Sequence, residues 1–274
     1  MFGLPITELL LLGASLALVG CISGFLAGLL GIGGGIVVVP ALYFVLTAFG
    51  IAPDVQPHVA VGTSLATIIP TSILSMRTHY AKGAVDAELL RRWAAWIALG
   101  VVVAIVIAGA VKGAVLTLVF GAVAAVVALH MALSPEGAHL TAALPGAPLL
   151  QALGFGIGGF STLMGIGGGT LSVPVLNLCN YPVRRAIGTA SVIGLVIALP
   201  GTLGFIIDGW RAQGLPPLSV GYIWLIGFVC IVPSSILLAP YGARTAHAVD
   251  TYWLRKTFAV FLGLTAAKML AAVL

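Results

Sequence analysis

No lysine or arginine occurs before Arg77, and the only acidic residues in that stretch are Glu8 and Asp54. A water-facing surface cannot be made from such a sequence. The rest of the chain follows the same pattern, with long apolar runs joined by short polar connections. Over 274 residues only 7% are charged and 61% are hydrophobic, with a mean hydropathy of +1.20. A soluble domain carries about 25% charged residues, so a polytopic membrane protein is expected. The runs are continuous rather than short and alternating, which points to helices and away from a β-barrel. The 36 glycines suit helices packed closely in lipid.

The net charge of +5 does not call for nucleic acid, because the basic residues sit in short connections where they set membrane orientation. Cys21, Cys179 and Cys230 have no metal-type spacing and are expected to be small buried hydrophobes. The N-terminal run lacks a basic leader and is expected to stay in the membrane rather than be cleaved.

One ten-residue stretch occurs twice. The first copy is Gly31-Ile32-Gly33-Gly34-Gly35 followed by Ile36 to Pro40; the second is Gly165-Ile166-Gly167-Gly168-Gly169 followed by Thr170 to Pro174. Glycine on this scale is costly within a helix. Each copy ends a long apolar run (Thr7–Leu30 and Leu149–Met164) and begins a short one (Ile36–Phe49 and Leu171–Cys179). Gly20, Gly24 and Gly28, four apart, form a stripe expected to pack against another helix.

The remaining runs are His58–Met76, Trp93–Val111 and Ala114–Leu133 in the first half, then Ala186–Ile207, Val220–Tyr241 and Thr257–Leu274 in the second. Val61-Gly62-Thr63 matches Ile187-Gly188-Thr189, and Phe120 and Met131 match Phe258 and Met269. The expected fold is therefore an all-α membrane protein of two repeats, residues 1–133 and 149–274, with a junction at 134–148. Each repeat has about five apolar segments, giving roughly eight to ten membrane helices, some short, broken or re-entrant.

Placing the connection that holds Arg77, Lys82, Arg91 and Arg92 in the cytoplasm puts nine Lys/Arg inside and two outside. The opposite placement inverts that ratio and is rejected. Both termini then come out external. An odd number of segments makes the second repeat enter from the other face, the inverted plan of many secondary transporters.

Broken backbone at membrane depth must be buried in protein or line a cavity. A helix that starts after a run of glycines offers unpaired N–H groups, the positive end of its dipole and no side chains in the way, so an anion can approach it. Two such ends, at Gly33, Gly34, Gly35 and at Gly167, Gly168, Gly169, Thr170, are expected to meet near the midplane. The alternative is that the glycines only let helices cross closely. Thr63, Ser64, Thr189 and Ser191 are candidate hydroxyl donors to anion oxygens, though such side chains also bond their own helix carbonyls. Arg77 is a candidate attractant for the anion, and otherwise an orientation anchor. Ser172 and Asn177 have no counterpart in the first copy (Val38 and Tyr43). No phosphate-loop or dinucleotide pattern, metal cluster or intramembrane catalytic constellation is present, so neither an enzyme nor a cofactor is expected.

These residues together resemble the TauE/SafE family of sulfite and organosulfonate transporters. The resemblance rests on the doubled glycine motif, the Gly62-Thr63-Ser64-Leu65 and Gly188-Thr189-Ala190-Ser191 segments, His79 with Gly83-Ala84-Val85-Asp86, and Pro240-Tyr241-Gly242-Ala243-Arg244. It extends from about Gly20 to Met269. It implies transport of small sulfur-containing anions (sulfite, thiosulfate, sulfoacetate or other organosulfonates) across a bacterial-type inner membrane; rocking of the two inverted repeats is expected to expose the site to each side alternately. An anion channel and a non-transporting membrane assembly subunit are the competing expectations. The sequence leaves open a coupling ion, proton or sodium, and homo-oligomerisation.

Overall fold

The computed structural model describes residues 6–30, 34–133, 141, 143–245 and 251–273. Among these the chain forms ten helices and one small hairpin. The first half holds α1 (Ile6–Leu30), α2 (Gly35–Ala48), α3 (Gln56–Ala81), α4 (Ala87–Ala110) and α5 (Gly113–Leu133). The second holds α6 (Ala147–Met164), α7 (Gly168–Leu178), α8 (Val183–Asp208), the strands β1 (Ser219–Val220) and β2 (Ile223–Trp224), α9 (Leu225–Thr245) and α10 (Thr251–Ala271). Among the described residues, seven helices are long and apolar enough to cross a membrane. By contrast, α2 and α7, with 14 and 11 residues, reach only about 21 and 17 Å, short of a hydrocarbon core of about 30 Å. The chain is an all-α polytopic membrane protein.

Local chemistry explains most of the boundaries. Pro57 and Pro148 stand in the first turns of α3 and α6, where proline's missing N–H costs nothing. The basic connection expected between Arg77 and Arg92 is mostly helical, because α3 runs on to Ala81 and α4 starts at Ala87. Asp86 causes the early start of α4: its carboxylate accepts the Leu89 N–H at 3.0 Å, capping the first turn. The apolar run expected from Val220 is also divided. Its first residues form the β1–β2 hairpin, turned at Gly221 with φ +55°, and only then does α9 begin.

Helices α3 and α8 make the centre, and all of α3 from Gln56 to Ile68 is buried. They run antiparallel, since Gly62 packs against Phe205, Leu65 against Gly201 and Ser72 against Gly194. Helices α5 and α10 are antiparallel too, with Gly121 against Leu270 and Ala128 against Gly263. Helix α1 packs on α9 and α4 on α6, and both pairs are parallel. Gly20 and Gly24 lie on Ile231, Ser234 and Ser235, so the glycine stripe is a packing face. Gly154 and Gly158 lie on Trp93 and Ile97 in the same way.

The packing keeps its form when the two halves are exchanged. The α1–α9 contact becomes α6–α4, α2–α3 becomes α7–α8, and α3–α9 becomes α8–α4, while α3–α8 and α5–α10 map onto themselves. Large apolar side chains stand exposed on the outer helices, among them Val106, Val126, Val229 and Leu264. Lipid is the solvent that suits them.

Candidate functional site

The second glycine motif begins where α6 stops. Gly165 takes the left-handed conformation at φ +65°, which glycine alone adopts without strain, and caps the helix through N–H bonds back to its last turn. Gly167 is extended, and α7 starts at Gly168. In the first copy α2 starts at Gly35, with Gly34 as its cap. Gly33 lies outside the described residues.

The start of α2 meets the loop that leads into α7, one from each half. A Cβ placed on Gly35 would lie 2.7 Å from the Gly165 carbonyl oxygen and 2.9 Å from Ile166 Cα. Gly165 is as tight against Val61 and Val39, and Gly168 against Ile193 and Gly194 of α8. Glycine is therefore required for close approach at these three positions. Gly34 faces Ser23 of α1, whose carbonyl oxygen would be 3.2 Å from an added Cβ. Gly167 differs: its nearest neighbour would be Ile68 Cγ2, at 3.7 Å. Gly169 and Thr170 are buried in the first turn of α7. The first-turn N–H groups of Gly35, Ile36, Gly168 and Gly169 lie outside the helical ladder by the geometry of any α-helix.

The candidate hydroxyls divide by role. Ser64, fully buried, donates to the Gly165 carbonyl at 2.7 Å and so ties α3 to the second glycine loop. Thr63 Oγ1 accepts the Trp224 N–H at 2.9 Å, and Thr189 Oγ1 accepts the Asp86 N–H at 3.0 Å. Gly62 and Gly188, one residue before each threonine, pack on the carbonyls of Tyr222 and Ala84. The matched Gly-Thr pairs are thus two equivalent clasps. Each holds the connection that leads into a helix of the other half, α9 or α4. Ser191 donates to the carbonyl of Gly188 in its own helix at 2.6 Å. Ser64 and Ser191 therefore do different work. Arg77 is exposed and lies about 20 Å along α3 beyond Ser64, apart from the glycine loops.

Ser161 and Trp224 were not foreseen. Both are buried, and Ser161 Oγ and Trp224 Nε1 have no hydrogen-bond partner among the described residues. Ser161 stands one turn before the second glycine motif, where the first copy has Ala27; that difference was its one sequence signal. Trp224 had none, because it sits within a continuous apolar run.

At one end of the central pair a polar cluster joins the halves. The Asp86 carboxylate accepts from the Tyr181 hydroxyl and lies 3.8 Å from Arg185 Nη1. The Tyr181 hydrogen bond, helped by the Leu89 N–H and Arg185, holds the Asp86 carboxyl below the usual range against a smaller desolvation effect. Burial, then Asp86, pushes the Tyr181 phenol up, so it stays protonated as a donor.

The family model described as sulfite exporter TauE/SafE matches residues 16–269. A probable membrane transporter protein of Haemophilus influenzae is 33% identical over 253 residues, covering 92% of this chain and 96% of that one. A probable membrane transporter protein of Methanocaldococcus jannaschii is 29% identical over 276 residues, covering 96% and 97%. One of Xylella fastidiosa is 31% identical over 236 residues, covering 84% and 86%. No solved structure matches the chain. With the family pattern spanning nearly all of its helices, this chain belongs to the sulfite exporter TauE/SafE family of membrane proteins.

Proposed function

We propose that the protein is a secondary transporter that moves small sulfur-containing oxyanions (sulfite, thiosulfate, sulfoacetate or other organosulfonates) across the inner membrane by alternating access. The observation that carries this reading is the meeting of the two glycine motifs, where the start of α2 at Gly35 lies against Gly165 and Ile166 in the loop that leads into α7. Two positive helix ends brought to one region would favour an anion without placing a formal charge in lipid. Among the described loop glycines Gly167 has space beside it, and the buried Ser161 hydroxyl stands one turn before the motif.

We further infer that residues 1–133 and 149–274 form inverted repeats joined through 134–148, with both termini external. The antiparallel packing of α3 on α8 and of α5 on α10 supports this plan. Rocking of one half against the other would open the glycine loops to each side in turn.

The close approach at Gly35, Gly165 and Gly168 favours a second reading, in which the glycines pack helices and the anion binds elsewhere. The first test is flux. Purified protein in liposomes is expected to give saturable uptake of sulfite or thiosulfate down a gradient. A well-folded preparation that moves and binds no sulfur oxyanion would sink the transport assignment.

A further inference from the structure

At the end of α3 opposite Asp86 lies a second polar cluster, built on different chemistry. His58, in the first turn of α3, is buried and stacks on Tyr222 of the hairpin turn, with centroids 4.9 Å apart and 28° between planes. Its Nε2 lies 3.1 Å from the Ala108 carbonyl oxygen and its Nδ1 3.3 Å from that of Asp54. Both nitrogens therefore meet acceptors. A neutral imidazole has one N–H and leaves its other lone pair against a carbonyl; an imidazolium donates to both. The last turn of α4 adds the negative end of its helix dipole.

Asp208, the final residue of α8, supplies the countercharge. It lies at the same turn of α4 that the His58 ring meets, against the residue next to Ala108. Its carboxylate packs on Gly109, where an added Cβ would lie 2.9 Å from Cγ. Asp208 Oδ2 is buried and has no hydrogen-bond partner among the described residues. The charged side chains at the ends of the surrounding elements, Asp54, Lys112 and Arg211, are exposed to solvent. Tyr222 is the other titratable group against the ring.

We propose that His58 and Asp208 form a proton-binding site. A proton from solvent adds to the imidazole, whose cation then donates to the Ala108 and Asp54 carbonyls and faces the Asp208 carboxylate. The ring and carbonyls belong to the first half, Asp208 and Tyr222 to the second, so the bound proton ties the halves together at this end. The other end is tied by Asp86, Tyr181 and Arg185. The two ends thus carry different proton chemistry, a histidine at one and a carboxylate that titrates only in acid at the other. Coupling of this proton to anion movement rests on the transport reading above; the site itself does not.

The test begins without substrate. Protein labelled with 15N-histidine in nanodiscs is titrated from about pH 5 to 9, with the His58 ring signals assigned by their loss in His58→Gln. We expect His58 to titrate, Asp208→Asn to weaken its proton affinity at least ~threefold, and Asp208→Glu, which keeps the carboxylate, to stay within ~twofold of wild type. A His58 that does not titrate, or that titrates alike in the wild type and Asp208→Asn, would overturn the site. Should Asp208→Asn not fold, Asp208→Glu and Tyr222→Leu carry the test: an unchanged midpoint in Tyr222→Leu and an absent titration in Asp208→Glu would overturn it too. The second measurement is uptake of thiosulfate, whose charge is constant over this range. A pH profile that follows the His58 titration and shifts in Asp208→Asn supports coupling; one that is unchanged in the variant overturns it. Titration of His58 with no anion flux at any pH supports the site and removes the transport reading instead.

Discussion

At the scale of single residues, the glycine loops contain their own control. Gly35 and Gly167 are both in the motif, but only Gly35 is held against a backbone carbonyl of the other half. Gly35→Ala is expected to cost roughly 1–3 kcal/mol through overpacking, seen as a lower unfolding midpoint in detergent, with flux lost in consequence. Gly167→Ala places its methyl at ordinary contact distance from Ile68, on an extended backbone that alanine adopts. Its midpoint should match the wild type. If flux or anion binding nevertheless falls tenfold or more, the loop touches the substrate; wild-type flux would move the site away from Gly167. Asp86 is a residue-scale test of another kind. Its folded-state carboxyl titrates below the unfolded value, so its contribution is complete above the unfolded value and is lost as pH falls through the folded one. Asp86→Asn keeps a capping side chain but loses the charge. The variant should unfold at a lower temperature than the wild type at pH 7. That gap should close as pH drops below about 4. A gap that is constant with pH would mean the charge contributes nothing.

At the scale of elements, the same register appears twice. Gly24 and Gly158 stand at equal distances before their glycine motifs, and each packs on backbone, of Ser235 in α9 and Ile97 in α4. Gly24→Leu and Gly158→Leu should therefore destabilise by similar amounts, at least about 1–3 kcal/mol each, measured by thermal unfolding in detergent. A neutral result in either would break the equivalence of α1–α9 and α6–α4. The glycine spacing made this helix contact legible in advance, because a small-residue stripe has one physical use between apolar helices. The Gly-Thr pairs were legible as matched, but their work was not. Thr63 and Thr189 bond backbone N–H groups of Trp224 and Asp86, far away in sequence and carrying no side-chain signal of the partnership. The β1–β2 hairpin was hidden for a related reason. A buried two-residue strand ending at Trp224 and the start of α9 are equally apolar, so hydropathy sees one segment. The polar cluster of Asp86, Tyr181 and Arg185 was also out of reach, since two connections and the first turn of α8 supply it and only folding brings them together.

For the whole molecule, the decisive property is that α3 and α8, and likewise α5 and α10, run in opposite directions. The positive-inside count used only charges, and the packing uses only contacts, yet both require α3 and α8 to cross in opposite senses. Lys82, just after α3, and Arg211, just after α8, are exposed ends of those two helices. In a protein whose free cysteines Cys21, Cys179 and Cys230 have been replaced, single cysteines at Lys82 and Arg211 should react from opposite sides of intact cells. The site at Arg211 should be reached by an impermeant maleimide from outside, and that at Lys82 only after permeabilisation. Labelling of both from one side would contradict the antiparallel centre itself, and with it any scheme in which two inverted halves present α2 and α7 to a shared anion. Labelling from opposite sides but with Lys82 outside would keep the architecture and reverse its orientation. The titratable His58 end would then face the cytoplasm and the Asp86–Arg185 end the exterior, so the same experiment fixes which compartment's pH the His58 cluster senses.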